Sequence, residues 1–251
     1  MIMFVIFKRL RMIFNSRASL IRSVLYNLKF LPLHQSVYFP LIIAKGVHIY
    51  GKGKIIIDCN NLSKSRIYIG GKALKRMPAP DKAQTTIFID GTIHLHEHFY
   101  FGSGGSIEVG CGAVLKFGNN FNSTGRCIII CRNNIEFDGD VLVSCDTMFM
   151  DSDQHTVMDL NHKNYDGAIK VGNHVWIASK VNVLKNTYIP DGCVIGCGTL
   201  LHGRYTCKNS LIAGIPAKVC RQNVKWTINK PETMPLQEVD IQGDLERWAQ
   251  I

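Results

Sequence analysis

The most regular feature of the chain is a largely apolar residue at every sixth position. A helix repeats near 3.6 residues and a strand near 2, so neither element alone explains the interval. Turn-forming triplets such as "GNH", "DGC" and "GNN" fall between these positions. Three such series are Val171, Ile177, Val183, Ile189, Ile195 and Leu201; Ile129, Ile135, Val141 and Thr147; and Val109, Leu115, Phe121 and Cys127.

Short strands separated by turns at a fixed spacing predict a solenoid. The apolar residue of each hexad would point into the coil and stack on its equivalents in the neighbouring coils. An irregular β-sandwich would instead show strands at a spacing of about 8–12 residues, without hexads in phase. We therefore predict an all-β parallel β-helix over residues 41–221, preceded by a basic segment, 1–40, and followed by a tail, 222–251.

The positive charge of the chain is concentrated at its N-terminus. The formal net charge is +10, and residues 1–57 carry nine basic residues and no acidic one. Apolar residues recur there at helical steps: Leu10, Ile13, Phe14, Leu20, Ile21, Val24, Leu25 and Leu28. Such a segment favours either peripheral contact of residues 1–30 with an anionic membrane or a cap in which the apolar stripe covers the first coil.

The cysteines and the hydropathy pattern indicate a reduced compartment. The nine cysteines are an odd number, contain no C-x2-C pair and lie mostly among apolar neighbours. The apolar run of residues 1–7 is followed rather than preceded by basic residues, which argues against a secretory signal. We expect a cytoplasmic protein that could also contact the inner membrane face. We expect no nucleic-acid partner.

Three stretches in the C-terminal half carry a family resemblance. They are "DSDQH" at 151–155, "VWIAS" at 175–179 and "AGIPAKVCR" at 213–221. Together, in this order, they resemble motifs of the hexapeptide-repeat acyltransferases, and the match looks closest to maltose and galactoside acetyltransferases and bacterial polysaccharide O-acetyltransferases. The resemblance implies a left-handed β-helix, a homotrimer with sites between subunits, and acetyl-coenzyme A as acyl donor.

Acyl transfer to a hydroxyl requires a base and donors for the developing oxyanion. His155 is the predicted base, because the pKa of an unperturbed imidazole lies near working pH. Asp153 and Asp151 precede it by two and four residues, so either could orient the ring; Asp153, the nearer, is favoured. The hexads stop between Thr147 and Val171, and this polar excursion could form a wall of the acceptor site.

The resemblance also implies binding residues. The donor would contact Trp176, Ala178, Ser179, Cys197, Gly198, Arg204, Lys218 and Arg221. Ala178 replaces the usual glycine, and Gly203 lies where a lysine is common, so Arg204 would have to substitute for it. On the acceptor side, the resemblance places Asn122 near a hydroxyl, while the excursion offers Tyr165 and His162.

Three histidines raise a metal hypothesis. His94, His96 and His98 alternate, so on one strand they would share a face. The H-x4-H spacing of the γ-class carbonic anhydrases is missing, and the tryptophan hexad favours an acyl carrier instead. We therefore expect no metal and predict an O-acetyltransferase acting on a sugar hydroxyl of a surface polysaccharide or its precursor. The alternatives are an N-acetyltransferase of an amino sugar or small xenobiotic, a non-catalytic scaffold, and a metal-dependent hydratase.

Overall fold

The computed structural model of the 251-residue chain describes residues 6, 7, 9, 11, 13, 18–71, 83–156, 158 and 165–228. Some positions of the N-terminal stripe, His162 and most of the predicted C-terminal tail lie outside the described residues. The described positions among residues 6–13 are helical. Two further helices follow, α1 (Leu20–Phe30) and α2 (Leu33–Ser36).

Short strands make up the rest of the described chain. They are β1 Leu41–Ile43, β2 Val47–Tyr50, β3 Lys54–Ile57, β4 Arg66–Gly71, β5 Thr85–Ile89, β6 Thr92–Leu95, β7 His98–Gly102, β8 Ser106–Val109, β9 Val114–Phe117, β10 Phe121–Ser123, β11 Ile128–Cys131, β12 Asn134–Phe137, β13 Leu142–Val143, β14 Met148–Met150, β15 Ile169–Val171, β16 Trp176–Ile177, β17 Asn182–Leu184, β18 Tyr188–Ile189, β19 Val194–Ile195, β20 Leu200–Leu201, β21 Leu211–Gly214 and β22 Ala217–Arg221.

These strands form three sheets that are the sides of a three-sided coil. The nine-stranded sheet has the order β1-β4-β7-β10-β13-β16-β19-β21-β22, the seven-stranded sheet β2-β5-β8-β11-β14-β17-β20, and the six-stranded sheet β18-β15-β12-β9-β6-β3. Successive strands enter the three sheets in turn, and every pairing is parallel except the final β21–β22 hairpin. The predicted parallel β-helix is therefore confirmed; a left-handed sense is what the family resemblance implies.

The hexad residues line the interior. Those of the longest series, from Val171 to Leu201, are fully buried, and Thr147 is buried as well. Side chains alternate inward and outward along each strand. An even interval of six residues therefore places every hexad side chain on the inward side. Stacked phenyl rings fill the middle coils, for example Phe117 and Phe137 with ring centroids 5.1 Å apart.

Coil length changes where the sequence leaves the hexads. Trp176 and Val194 are paired neighbours 18 residues apart, which corresponds to three hexads. Leu142 and Trp176 are also paired but lie 34 residues apart, because the excursion after β14 lengthens that coil. All nine cysteines are free thiols, and no helix in the described part of the chain is long and apolar enough to cross a membrane.

Candidate active site

The segment "DSDQH" begins the excursion at the edge where the seven-stranded sheet gives way to the six-stranded sheet, here called the seven/six edge (described residues 151–156, 158 and 165–168). The fully buried Asp151 carboxylate accepts the backbone N–H of Arg132 at 2.7 Å and that of Asn133 at 2.9 Å. The Asp151 carbonyl accepts the N–H of Gly167 at 3.0 Å. Asp151 therefore ties both ends of the excursion to the coil before it.

The following residues hold the turn before the exposed side chain of His155. The Ser152 hydroxyl accepts the N–H of Gln154 at 3.0 Å. The Arg132 guanidinium donates to the Gln154 side chain at 3.2 Å and pairs with Glu108. His155 lies beyond this braced turn and is open to solvent.

Asp153 forms an ion pair with the coil that follows. Its carboxylate lies 2.5 Å from Nζ of Lys185, whose side chain is only 15% exposed. Lys185 comes directly after β17, which pairs with β14, so it stands beside the start of the excursion. This ion pair therefore joins the start of the excursion to the coil that follows it.

A second group of predicted residues lies at another edge, where the nine-stranded sheet passes to the seven-stranded sheet. This nine/seven edge contains Ala178 and Ser179 after β16, and Cys197 and Gly198 after β19. The Gly198 N–H donates to the Ser179 carbonyl at 3.0 Å, which stacks the two turns. Successive coils therefore line up the predicted donor contacts along the solenoid axis.

The nine/seven edge offers backbone groups and open space. The Ala178 N–H is engaged with the Ile195 carbonyl at 3.0 Å, whereas the described residues provide no hydrogen-bond acceptor for the Ser179 N–H. Gly198 has φ +72°, and no described heavy atom lies within 4 Å of the position that a Cβ there would take. An elongated ligand could therefore approach the main chain closely.

The three cationic residues predicted to bind the donor do not lie together. Lys218 and Arg221 are exposed on β22, the hairpin partner of β21, at the C-terminal end of the nine-stranded sheet. Arg204 instead lies over the Tyr188 ring, 5.4 Å from its centroid, beside the last strand of the six-stranded sheet. The structure thus puts Arg204 on a different face from the other two cations.

Trp176 and Asn122 belong to one row on the outer face of the nine-stranded sheet. Asn122 pairs with Leu142, and Leu142 pairs with Trp176. The Trp176 side chain is 37% exposed, and its Nε1 donates to the Ser144 hydroxyl at 3.2 Å. Tyr165 stands apart from this row, exposed on the return of the excursion towards β15.

A pocket of about 260 Å³ opens next to Trp176, where the six-stranded sheet passes to the nine-stranded sheet. Trp226 forms one wall by stacking on His174, with ring centroids 4.4 Å apart, and its Nε1 donates to the His174 carbonyl at 2.9 Å. Polar groups stand opposite: the Asn120 amide donates to the Asp140 carboxylate at 2.6 Å.

Several residues that contact the predicted site residues or line the pocket belong to no motif in the sequence. Lys185 and Arg132 meet the excursion from 32 and 22 positions away, and Trp226 reaches His174 across 52. Trp226 also falls in the part of the chain predicted to be a tail. Only its isolated aromatic character, in a stretch without hexads, could have marked it.

The prediction that three histidines share one strand face is wrong. His94 lies on β6 of the six-stranded sheet and His98 on β7 of the nine-stranded sheet, because the chain turns at His96. His94 Nδ1 pairs with Asp58 at 2.7 Å, and His98 Nδ1 contacts Asn119 at 3.3 Å. Within the described ranges, no cluster of histidine, cysteine or acidic residues is arranged to hold a metal ion.

Comparisons with known proteins agree with the fold and the motifs. No family model matches the chain. The chain is similar to the putative lipopolysaccharide biosynthesis O-acetyl transferase WbbJ of Escherichia coli K12, at 24% identity over 147 residues, covering 53% of this chain and 73% of WbbJ. It is 29% identical over 113 residues to the galactoside O-acetyltransferase of the same organism, covering 44% of this chain and 55% of that enzyme.

The chain thus spans about half the length of the galactoside O-acetyltransferase. Among solved structures, the polysialic acid O-acetyltransferase OatWY aligns with a TM-score of 0.45 at 19% identity, over 82% of this chain and 89% of that one. The phased hexads, the three-sided parallel coil and the acetyltransferase relatives together support the resemblance of this chain to the hexapeptide-repeat acyltransferases.

Proposed function

We propose that this protein transfers an acetyl group from acetyl-coenzyme A to a sugar hydroxyl of a surface polysaccharide or its precursor, with His155 as general base. One observation carries the proposal: the exposed His155 follows a turn that is braced by buried and ion-paired groups. The relatives, named as a putative lipopolysaccharide biosynthesis O-acetyl transferase and a galactoside O-acetyltransferase, support a carbohydrate acceptor. The free thiols support a cytoplasmic location.

The chemistry needs no covalent enzyme intermediate. The His155 imidazole accepts the proton of the sugar hydroxyl while its oxygen attacks the thioester carbonyl. The Ser179 N–H donates to that carbonyl oxygen as negative charge develops on it. When the carbon–sulfur bond breaks, the imidazolium returns its proton to the thiolate of coenzyme A. Asp153 supports the positive ring, as in a triad.

The donor would lie along the nine/seven edge. Its pantetheine arm would run past the Ser179 and Gly198 backbones, and its acyl end would lie near Trp176. The exposed Lys218 and Arg221 at the end of the nine-stranded sheet are suited to its phosphates. Arg204 lies away from this edge against Tyr188, so it is the weakest member of the predicted donor site.

A homotrimer would bring the two parts of the site together. In one chain, His155 lies at the seven/six edge and the donor groups at the nine/seven edge, on opposite sides of the seven-stranded sheet. If three copies turn this sheet towards a common axis, the seven/six edge of one copy adjoins the nine/seven edge of the next. The site would then be shared between two chains.

The outer face of the seven-stranded sheet supports this arrangement. Its central rows are apolar and at least partly accessible to solvent: Ile128, Ile130, Met148, Met150, Leu184 and Leu200. Neighbouring rows are aligned by the pairings of β11 with β14 and of β14 with β17. Asn182 lies between Met148 and Leu200 in one of these rows. A largely apolar face of this kind is typical of an interface between subunits.

The pocket beside Trp176 is suited to a sugar of the acceptor. The Trp226 ring offers an aromatic surface for the apolar face of a pyranose, and the Asn120 amide and Asp140 carboxylate offer hydrogen bonds to hydroxyls. The Asp140 charge disfavours phosphates and acidic sugars. We therefore propose that a neutral sugar of the acceptor glycan occupies it, with Asn122 closer to the reacting hydroxyl and Tyr165 at the margin of the site.

The decisive experiment incubates the purified protein with acetyl-coenzyme A and single acceptors, following thiol release and product mass. We expect release with neutral oligosaccharides and a product carrying one base-labile O-acetyl group. Acetylation of an amino sugar at nitrogen only would replace the proposal with the N-acetyltransferase alternative. A protein that binds coenzyme A but acetylates no member of a broad glycan panel would contradict the proposed acceptor class.

A further inference from the structure

The outward face of α1 is an unusual feature of the N-terminal end of the solenoid. Ile21, Leu25 and Leu28 occur at steps of four and three residues, which places them on one side of the helix. Their side chains are exposed by 73%, 55% and 56%. Leu33, which begins α2 at the same end, is exposed by 77%. Four large aliphatic side chains therefore face away from the protein.

The opposite side of α1 is polar but buried. The Asn27 amide donates to the Leu41 carbonyl at 2.9 Å and accepts the Leu41 N–H at 3.1 Å. The Ser23 hydroxyl accepts the Ile43 N–H at 3.0 Å. Ser23 and Asn27 are both fully buried. These two side chains therefore satisfy the open edge of β1, the first strand of the nine-stranded sheet.

The other two sheets are closed in the same way. The Gln35 amide exchanges two hydrogen bonds with Ile57 on β3, at 2.8 and 3.0 Å. The Tyr26 hydroxyl accepts the Ile49 N–H on β2 at 3.2 Å. Phe30 plugs the end of the core. Each first strand is thus capped by polar side chains, so Ile21, Leu25 and Leu28 do not cover the coil. Ile13, a member of the same sequence stripe outside α1, is instead buried against Ile42 of β1.

The segment that carries the exposed stripe is basic, and Lys29 lies one position after Leu28 on α1. Residues 1–57 contain no acidic side chain, and Arg11, Lys29 and Lys45 are exposed. Arg9 does not contribute, because it is 3% exposed and donates to the Leu62 carbonyl at 3.1 Å. Two copies of this face would oppose like charges, whereas an anionic surface would complement them.

We infer that the outward face of α1 attaches the protein to anionic lipid bilayers. Ile21, Leu25 and Leu28 would enter the boundary between head groups and acyl chains, while Lys29 and Lys45 meet lipid phosphates. The attachment is reversible, because a few aliphatic side chains and surface cations give modest affinity. The solenoid axis would then stand away from the bilayer, with the N-terminal coils nearest to it.

The test is flotation of the full-length protein with phosphatidylcholine vesicles that contain or lack about one third phosphatidylglycerol. We expect flotation with the anionic vesicles at low salt and a several-fold decrease at about 0.5 M NaCl, where exposed charges are screened. Absence of flotation with anionic vesicles at low salt, or equal flotation with neutral vesicles, would overturn the inference.

Variants identify the face. Ile21→Gln with Leu25→Gln and Leu28→Gln should reduce the bound fraction about tenfold or more, and Lys29→Gln with Lys45→Gln several-fold. Lys116→Gln with Lys180→Gln, a matched loss of two charges at exposed positions on β9 and after β16, should change it little. All these positions are exposed, so the thermal midpoint should stay near that of the unaltered protein.

An undiminished bound fraction in the triple variant would remove α1 from membrane contact. If light scattering shows that the triple variant instead loses an association between copies, the stripe is a protein interface and the membrane inference fails. The assay does not depend on acetyl transfer, so its outcome is independent of the proposed function.

Discussion

At the residue level, two aspartates that lie two residues apart in the chain have different roles. Asp151 and Asp153 both precede His155, and spacing alone allowed either to orient the ring. Asp151 is fully buried, and both of its carboxylate oxygens accept hydrogen bonds from backbone N–H groups. Asp153 is instead partly exposed and forms an ion pair with Lys185. Asp153 is therefore the carboxylate that we propose supports the base, and Asp151 holds the turn through its two backbone hydrogen bonds.

Removing the proposed base should abolish most of the turnover. His155→Ala should lower kcat by about 10²–10⁴-fold, because no other group would accept the hydroxyl proton, while coenzyme A binding stays unchanged. Steady-state kinetics and calorimetric titration measure the two quantities. His34→Ala, at an exposed position of α2, is the control. A folded His155→Ala protein with near-normal turnover would remove His155 from the mechanism.

Asp151→Asn tests the positioning role. The amide can accept one of the two backbone N–H groups and presents its own N–H₂ to the other, so the unfolding free energy should fall by about 1–3 kcal/mol. We expect a lower kcat, unchanged donor affinity and an unchanged pH dependence of turnover, since the turn shifts but His155 remains. An altered pH profile would indicate that Asp151 acts on the imidazole directly.

The pocket predicts an effect on acceptor binding alone. Trp226→Ala removes the aromatic wall and should raise KM for a neutral oligosaccharide about tenfold or more with little change in kcat for a small soluble acceptor. Trp226→Phe, which keeps a ring, should recover most of the loss. If Trp226→Ala instead weakens coenzyme A binding, the pocket belongs to the donor and not to the glycan.

At the level of elements, α1 shows why a helical period does not define the buried face. The apolar stripe in the sequence is genuine, and Ile21, Leu25 and Leu28 do share a side, but that side faces outwards. The first strands present unpaired backbone N–H and C=O groups, and these require hydrogen-bond partners more than they require apolar cover. Polar side chains are therefore buried there.

Because α1 covers the first strands with polar side chains, a buried polar residue of this helix should be more sensitive to mutation than an exposed apolar one. Asn27→Leu, a change from polar to apolar at a buried helix position, should cost about 1–3 kcal/mol for each backbone group of Leu41 that is left unpaired. Leu28→Ala, one position along, should change stability by less than about 0.5 kcal/mol. Thermal unfolding of both variants measures this. A larger loss in Leu28→Ala than in Asn27→Leu would contradict the cap.

At the level of the whole molecule, the proposed trimer predicts complementation between inactive variants. His155→Ala and Trp176→Ala would each impair every site. In trimers mixed at random from the two, about one site in four would combine an intact His155 with an intact Trp176 of the neighbouring chain. We expect activity to recover to about a quarter of the unaltered level after dissociation and reassembly.

Light scattering on the reassembled protein checks that trimers have formed. If mixed trimers form and recover no activity, each chain holds a complete site and the shared arrangement is wrong. As a control, mixing two differently tagged copies of His155→Ala should give trimers without recovery.

The sequence by itself determined the solenoid and the order of its motifs. The six-residue period is a local pattern, and in each hexad the apolar position alone shows which side chain points into the coil. Its short motifs also predicted His155 as the base and, through the family resemblance, the backbone positions of the nine/seven edge as donor contacts. Only the tertiary structure decided that Asp151 is structural, that Lys185 and Trp226 join the sites, that three histidines diverge, and that α1 turns its apolar side outwards. These findings depend on which distant residues the stacked coils bring together, and on which backbone groups the coils leave without a hydrogen-bond partner. A local sequence pattern contains no information about either.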